Sequence, residues 1–290
     1  MAKEAWSRWG PEDQRGALNL IGPEQVLAAA LLVKQGKAIS LAAPISAQMA
    51  VPPKRPRPAH FMDRDGGDYA GGARRPGGFQ YADDTALLPL HAGTHIDCLC
   101  HVWYDDALFN GFSSNTVQSA GAAKCGAETL PPMVTRGVLL DFAALAGKPL
   151  DDGTSIGIEQ VKRACLAAGV SIRDGDAVLL RTGWQEAHEG AGAPDYNAEP
   201  GLDLEAAVYL AQAGAAIIGA DNYAVEVLPF AAGTVFPVHQ RLIRDFGIPL
   251  LEGLVLKPLA LAGAKQFLFM ASALPIVGAT GSPLNPIAVL

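Results

Sequence analysis

Cysteine is scarce in this chain of 290 residues. The four cysteines, Cys98, Cys100, Cys125 and Cys165, are too few for a disulfide framework, and the spacing of the first two is not that of a zinc knuckle. Long apolar runs are also missing, and the N-terminus carries charges where a signal peptide needs an apolar stretch. The sequence therefore predicts a soluble, cytoplasmic protein with reduced thiols and no membrane partner.

An excess of positive charge is lacking as well. Lysine and arginine number 22 against 29 acidic residues, the formal net charge is −7, and no basic run is present that would track a phosphate backbone. Nucleic acid is therefore not an expected partner. The hydrophobic content of 50% is enough for a large core, and neither an internal repeat nor a linker divides the chain. We expect a single domain over residues 1–290.

Hydrophobic patterning predicts an alternation of strands and helices. Residues 1–50 form an N-terminal extension with a helix over 23–36, which begins at a proline and ends at a glycine. The later elements are a strand at 136–142, a helix at 158–168, a strand at 176–182, a helix at 204–213, a strand at 216–221, a helix at 236–246 and a strand at 266–272. This order is typical of βαβ units and predicts an α/β fold.

Two segments show neither helical nor strand periodicity. Residues 51–78 are crowded with proline, glycine, arginine and aspartate, which predicts a long loop acting as a lid or a subunit contact. Residues 278–283 predict a turn-rich loop. The second segment lacks the lysine and the following helix of a phosphate-binding loop, so we expect no nucleotide there.

The residues that carry chemistry are concentrated between positions 91 and 101. His91, His95, Asp97 and His101 all have odd numbers, so in an extended segment their side chains leave the same face. Two imidazoles and a carboxylate form the donor set of a catalytic zinc, manganese or iron site. The same parity turns Cys98 and Cys100 to the opposite face, as small buried hydrophobic residues. Separately buried core histidines are the alternative, but three of the chain's 6 histidines lie in this segment.

The pattern His-x-Gly-Thr-His-x-Asp-x-x-x-His at 91–101 resembles the signature of the cyclase family, which includes bacterial kynurenine formamidases and isatin hydrolases. Segments 181–184, 219–222, 252–254 and 278–283 and His239 resemble that family in the same order. Residues 9–20 and Asn110-Gly111 resemble a longer branch of it. One departure is Leu99, where the better-known formamidases have a proline, and this departure concerns the substrate more than the metal.

The resemblance implies a swivelling β/β/α-type single domain that assembles as a homo-oligomer, a dimer or a tetramer. It implies that His91, His95 and Asp97 bind a divalent metal, zinc or manganese, with one or two ions per subunit. His101, His239 and Glu252 then supply acid and base groups, or ligands for a second ion bridged by Asp97. The implied activity is attack of a metal-activated water on an amide-type C–N bond of a small molecule, either a formamide or a cyclic amide.

Three alternatives remain open from the sequence. The same site suits a cyclase or a lactone-acting enzyme, and the fold suits a non-catalytic protein that binds a metal or a small molecule. A thiol redox module using Cys98 and Cys100 is the third, but it requires an exposed thiolate of low pKa. Three further residues, Trp184, Tyr223 and Phe236, are candidates for an aromatic pocket.

Overall fold

A computed structural model of the chain describes residues 5–188 and 194–290. Its strands, in chain order, are β1 (Ala38–Ser40), β2 (Ala59–Arg64), β3 (Asp83–Leu87), β4 (His95–Asp97), β5 (Val117–Gln118), β6 (Gly121–Ala122), β7 (Met133–Asp141), β8 (Ser155–Ile156), β9 (Asp176–Arg181), β10 (Gly201–Leu202), β11 (Ala215–Ala220), β12 (Leu250–Glu252), β13 (Gln266–Ala271), β14 (Gly281–Pro283) and β15 (Ile287–Val289).

One mixed sheet is the centre of a single α/β domain. Within the described residues it has nine strands in the order β1-β15-β13-β7-β9-β11-β12-β4-β14. The inner strands β7, β9, β11 and β12 run parallel, and every other pairing in the sheet is antiparallel. The inner strands are almost wholly buried, as expected for parallel strands that are covered on both faces.

Helices cover this sheet. They are α1 (Pro23–Ala30), α2 (Gly66–Ala70), α3 (Phe142–Ala146), α4 (Ile158–Ala168), α5 (Trp184–Ala187), α6 (Leu204–Gln212), α7 (Pro237–His239), which continues as wide π-type turns over Gln240–Phe246, and α8 (Lys257–Leu261). Helix α4 contacts β7, α6 contacts β11, and α1 contacts β7 and β13. Val161 and Ala164, three positions apart on α4, form its buried face.

The strands and helices predicted between residues 136 and 272 are confirmed, with ends that move by a few residues. The predicted N-terminal helix is too long, because α1 ends at Ala30 instead of reaching Gly36. The backbone amides of Gln35 and Gly36 donate to the carbonyl of Leu290 instead of continuing the helix. Pairing with the C-terminal end of the chain thus replaces helical hydrogen bonds at this point.

The prediction of a structureless loop at 51–78 is wrong. Strand β2 lies inside this segment and pairs with β3, so that Ala59 faces Leu87 across an antiparallel hairpin. Asp65 caps α2 by accepting a hydrogen bond from Gly67 N. Most of β2 and all of β3 are exposed, and a hairpin without a buried face has no hydrophobic alternation to reveal it. A role as a lid or subunit contact stays a prediction.

The prediction that residues 278–283 are only a loop is also wrong. Residues 281–283 form β14, which pairs with β4 so that Gly281 faces Asp97 and Pro283 faces His95. A proline is tolerated because β14 lies at the edge of the sheet. This pairing depends on a partner almost 190 residues away, and local propensity does not show it. None of the helices in the described ranges has the length and apolarity to cross a bilayer.

Candidate metal centre

Strand β4 carries the first two residues of the site. Side chains alternate along a strand, so His95 and Asp97 share one face while Ile96 enters the core on the other. The register of the neighbouring strand β12 places Glu252 directly opposite His95. Cross-strand pairing therefore adds a second carboxylate to the same face, and His95, Asp97 and Glu252 are all buried.

His91 and His101 reach this face from turns on either side of β4. Gly93 has a φ of +67°, a left-handed conformation that bends the chain and brings His91 Nδ1 to 2.6 Å from Asp97 Oδ1. His101 Nε2 lies 3.8 Å from Asp97 Oδ2, and its ring stacks on His91 with 4.0 Å between centroids. The four side chains lie together, but only residues 95–97 form a strand, so His91 and His101 are placed by turns and not by the predicted alternation of an extended segment.

His239 comes from the end of α7. Its Nε2 is 3.1 Å from Glu252 Oε1 and 3.7 Å from Asp97 Oδ2. Its Nδ1 is 2.6 Å from Glu226 Oε1, and Glu226 also accepts hydrogen bonds from the backbone amides of Val238 and His239. Glu226 therefore fixes the orientation of His239.

Sequence reasoning missed Glu226. The one local signal is a lone carboxylate among the apolar residues 224–228, where an unpaired buried acid would be costly. The six residues that were singled out, His91, His95, Asp97, His101, His239 and Glu252, are all brought together. Their roles as ligands and catalysts stay a prediction.

The cluster fits a divalent cation. His95 Nδ1 is hydrogen-bonded to the carbonyl of Gly93 at 2.9 Å, so whenever the ring is neutral the lone pair of Nε2 points into the cluster. This buried Nε2 has no hydrogen-bond partner in the described chain, and it lies 3.2 Å from Glu252 Oε2 and 3.5 Å from Asp97 Oδ1. A lone pair facing two carboxylates is repulsive unless a proton or a cation lies between them.

Two overlapping donor sets are present in the part of the chain that the structure describes. One is His95, Asp97 and Glu252, and the other is His91, Asp97 and His101; within each, the ligand atoms lie within 4.8 Å of one another. Asp97 belongs to both sets, as a carboxylate that bridges two ions would. Imidazole and carboxylate donors suit zinc, manganese and iron. Cys98 and Cys100 belong to neither set and are fully buried.

The electrostatics of the cluster divide the histidines into two kinds. Burial lowers the pKa of His95 and of His239, but the adjacent carboxylates outweigh it and raise both values to about 10, because a proton between an imidazole and these carboxylates is stabilised as a cation would be. Burial lowers the pKa of His101 to about 4 against the opposing effect of Asp97. His101 is therefore neutral at pH 7, and with 26% of its side chain exposed it is open to solvent.

Burial raises the pKa of Cys98 well above its usual range and that of Cys100 to about 12. Both side chains are therefore protonated thiols at neutral pH, and a redox module requires a reactive thiolate, so the redox alternative loses its chemical basis. Of the candidates for an aromatic pocket, Trp184 and Tyr223 line a cavity of about 480 Å³ next to Gly93. Phe236 does not line this cavity; it packs on the rings of Phe230 and His239.

Comparison with known proteins agrees with this geometry. Residues 39–227 match the family model described as "Putative cyclase". The chain belongs to the cyclase family. The crystal structure of a novel cyclase is 36% identical to it, covers 98% of this chain and 99% of its own, and superposes with a TM-score of 0.91.

More distant solved structures share the fold of this cyclase-family chain. An isatin hydrolase bound to the product analogue thioisatinate is 18% identical, with a TM-score of 0.65 and coverage of 93% of this chain and 99% of its own. A protein of Bacillus stearothermophilus described as a predicted metal-dependent hydrolase is 20% identical, with a TM-score of 0.57 and coverage of 87% and 97%. A search of curated proteins gave no match.

Proposed function

We propose that this cyclase-family chain is a metal-dependent hydrolase that cleaves an amide-type C–N bond of a small molecule, a formamide or a cyclic amide. The observation that carries the proposal is the buried Nε2 of His95, which faces Asp97 and Glu252 without a hydrogen-bond partner among the described residues. The fold shared with an isatin hydrolase and with a metal-dependent hydrolase supports the same reaction class.

The residues that would hold the metal are His95, Asp97 and Glu252, with His91 and His101 as a second set around Asp97. A divalent ion at such a site lowers the pKa of a bound water toward about 7 and so supplies hydroxide at neutral pH. We infer zinc or manganese from the nitrogen and oxygen donors, and one or two ions from the shared Asp97. Assembly as a dimer or a tetramer belongs to the same proposal.

The chain's own residues would then move the proton. With one ion, held by His95, Asp97 and Glu252, the neutral and partly exposed Nε2 of His101 would take the proton of the attacking water and return it to the leaving nitrogen; with a second ion on His101, this nitrogen would be a ligand instead. His239 and Glu252 are buried and hydrogen-bonded to each other, which suits them to holding the charge of the site in place. His91 and His101 are the imidazoles of the cluster that retain exposure, so this side of the cluster is open to solvent.

The test is a panel of formanilide, a cyclic imide and a simple lactone, assayed with protein purified without added metal and then loaded with zinc or manganese. We expect turnover of an amide, and a fall in kcat of roughly 10²–10⁴ in His101→Ala. The double variant Cys98→Ala/Cys100→Ala is the control and keeps most activity, because both thiols lie outside the donor sets. Turnover of the lactone alone would favour the lactone-acting alternative, and stoichiometric metal without any turnover would favour a binding protein.

A further inference from the structure

A cavity of about 480 Å³ lies behind the metal segment. It touches Gly93, which lies two residues before His95, and Gly253, which directly follows Glu252. Its volume is within the range of small-molecule binding sites, and most of its walls are apolar, among them Ala42, Pro44 and Val255. The site described above uses none of these walls.

Three aromatic side chains form one side of the cavity. The ring of Tyr223 meets Tyr196 edge to face at 5.2 Å and Trp184 at 6.2 Å, and Trp184 lies 5.9 Å from Tyr196. Each ring is therefore held by the other two, which gives the wall a fixed shape. Rigid aromatic walls of this kind favour a flat, mainly apolar ligand.

Two hydrogen-bond donors on this wall have no acceptor in residues 5–188 and 194–290. They are Nε1 of Trp184 and the hydroxyl of Tyr196, and both atoms are buried. Trp184 as a whole is 3% exposed, so water does not solvate its indole nitrogen freely. A buried donor without an acceptor costs free energy, and a ligand that brings an acceptor removes that cost.

Three other polar side chains around the cavity already have partners. The hydroxyl of Tyr223 accepts from Gly93 N and donates to the carbonyl of Ala50, and the carboxylate of Asp221 accepts from the Thr182 hydroxyl and from two backbone amides. Glu186 is held by two hydrogen bonds from Arg181. Among the buried polar atoms of this wall, the indole N–H of Trp184 and the hydroxyl of Tyr196 therefore remain available as donors.

The cavity is joined to the metal centre through Gly93. Tyr223 binds the amide of Gly93, the carbonyl of Gly93 fixes the ring of His95, and the rings of Tyr223 and His95 are 6.3 Å apart. A group bound against Tyr223 thus contacts a ring that lies 6.3 Å from the imidazole of His95.

We propose that this cavity binds the non-reacting part of the substrate, a flat and mainly apolar group whose acceptor oxygen takes hydrogen bonds from Trp184 Nε1 and Tyr196 Oη. Calling the ligand a substrate rests on the proposed hydrolase function. The binding itself requires neither metal nor turnover. Trp184 and Tyr196 are therefore specificity-determining residues.

The first experiment measures binding of acetophenone and ethylbenzene, which match in shape but differ in the carbonyl acceptor, to metal-free protein by ligand-observed NMR. The wild type should bind acetophenone roughly five- to tenfold more tightly. The double variant Trp184→Phe/Tyr196→Phe keeps the rings but lacks both donors, and should lose this preference. The control variant Trp9→Phe/Tyr209→Phe, which changes the same residue types outside the cavity, should retain it.

The ratio of the two affinities is the readout, because general damage to the cavity weakens both probes together. Equal binding of the probes by the wild type, or an unchanged ratio in the double variant and in each single variant, would overturn the proposal. The second experiment compares 4-acetylformanilide with 4-ethylformanilide as substrates. The wild type should have a lower KM for 4-acetylformanilide than for 4-ethylformanilide, and the double variant should have similar KM values for both. If the double variant loses the difference in probe affinity but keeps the difference in KM, the cavity binds a ligand other than the substrate.

Discussion

Three carboxylates, Asp97, Glu226 and Glu252, are buried together with the imidazoles of His95 and His239. Charge without a partner is costly inside a protein, and here each carboxylate contacts at least one imidazole nitrogen. The outer nitrogen of each imidazole, Nδ1, is hydrogen-bonded to a group outside the donor sets: that of His95 to the Gly93 carbonyl and that of His239 to Glu226. The inner nitrogens are thereby oriented before any ion arrives.

Glu226 is expected to act as a positioning residue. Glu226→Gln keeps the size of the side chain but replaces the charged partner of His239 Nδ1, so His239 becomes a poorer and less well oriented partner of the cluster. His239 lies beside Asp97 and Glu252 and is itself a predicted ligand, and removing the outer partner of a metal-binding histidine typically weakens metal affinity 10- to 100-fold. Titration of metal-free protein with zinc measures this effect, with the exposed Glu159→Gln as a control. Wild-type affinity in Glu226→Gln would show that Glu226 has no influence on the site.

Glu199 makes stability depend on pH. Burial raises its pKa from 4.5 to about 8, although its carboxylate accepts hydrogen bonds from the amides of Tyr223 and Ala224. Between these pH values the folded state keeps a proton that the unfolded state has lost. The contribution of Glu199 to the free energy of unfolding therefore falls as pH rises from about 4.5 to about 8, by an amount on the order of 2–4 kcal/mol.

Glu199→Gln removes this titration. Relative to the wild type, the variant should gain stability between pH 5 and pH 8, measured by urea unfolding of chelator-treated protein at both values. A difference between variant and wild type that is the same at pH 5 and at pH 8 would contradict the raised pKa.

At the scale of elements, the site depends on the strands on either side of β4. Strand β12 supplies Glu252, and β14 supplies Gly281 and lies beside Thr280, whose hydroxyl is 3.0 Å from His91 Nε2. A Cβ on Gly281 would come within 2.4 Å of the ring of His91. Glycine is therefore needed here for space and not for an unusual backbone conformation.

Gly281→Ala should displace the ring of His91 and weaken the set His91, Asp97 and His101, while His95, Asp97 and Glu252 keep their ion. Zinc titration should then show one weakened site if two ions bind, or a lower overall affinity if one binds. Gly66→Ala, at an open position with nothing within 4 Å of the added atom, is the matched control. Unchanged zinc binding in Gly281→Ala would mean that His91 is not a ligand.

Sequence patterns predicted the elements whose signals are local. The helix at 158–168 is confirmed to the residue, because its apolar spacing and glycine stop are written in the chain itself. Strand β14 and the hairpin of β2 and β3 were missed, because one depends on a distant partner and the other has no buried face. The ligand segment was visible because its donors lie within eleven residues, whereas Glu226 acquires its meaning only from the fold.

At the scale of the whole molecule, the order of the strands assembles the site. Residues 91–101, His239, Glu252 and Thr280 come from separate parts of the chain and meet because β12, β4 and β14 are neighbours at one end of the sheet. The resemblance to the cyclase family predicted which residues form this cluster, and the structure brings them together, while their roles stay a prediction. Its chemistry depends on whether the cluster holds a cation.

Metal content is the measurement that tests this most directly. The wild type, His95→Ala, Asp97→Ala and His101→Ala would be purified without added metal, analysed by inductively coupled plasma mass spectrometry, and checked for folding by circular dichroism. We expect stoichiometric divalent metal in the wild type, its loss in folded His95→Ala and Asp97→Ala, and its retention in His101→Ala. A wild type that neither contains nor takes up zinc or manganese, or full metal content in both His95→Ala and Asp97→Ala, would contradict a metal centre at this cluster.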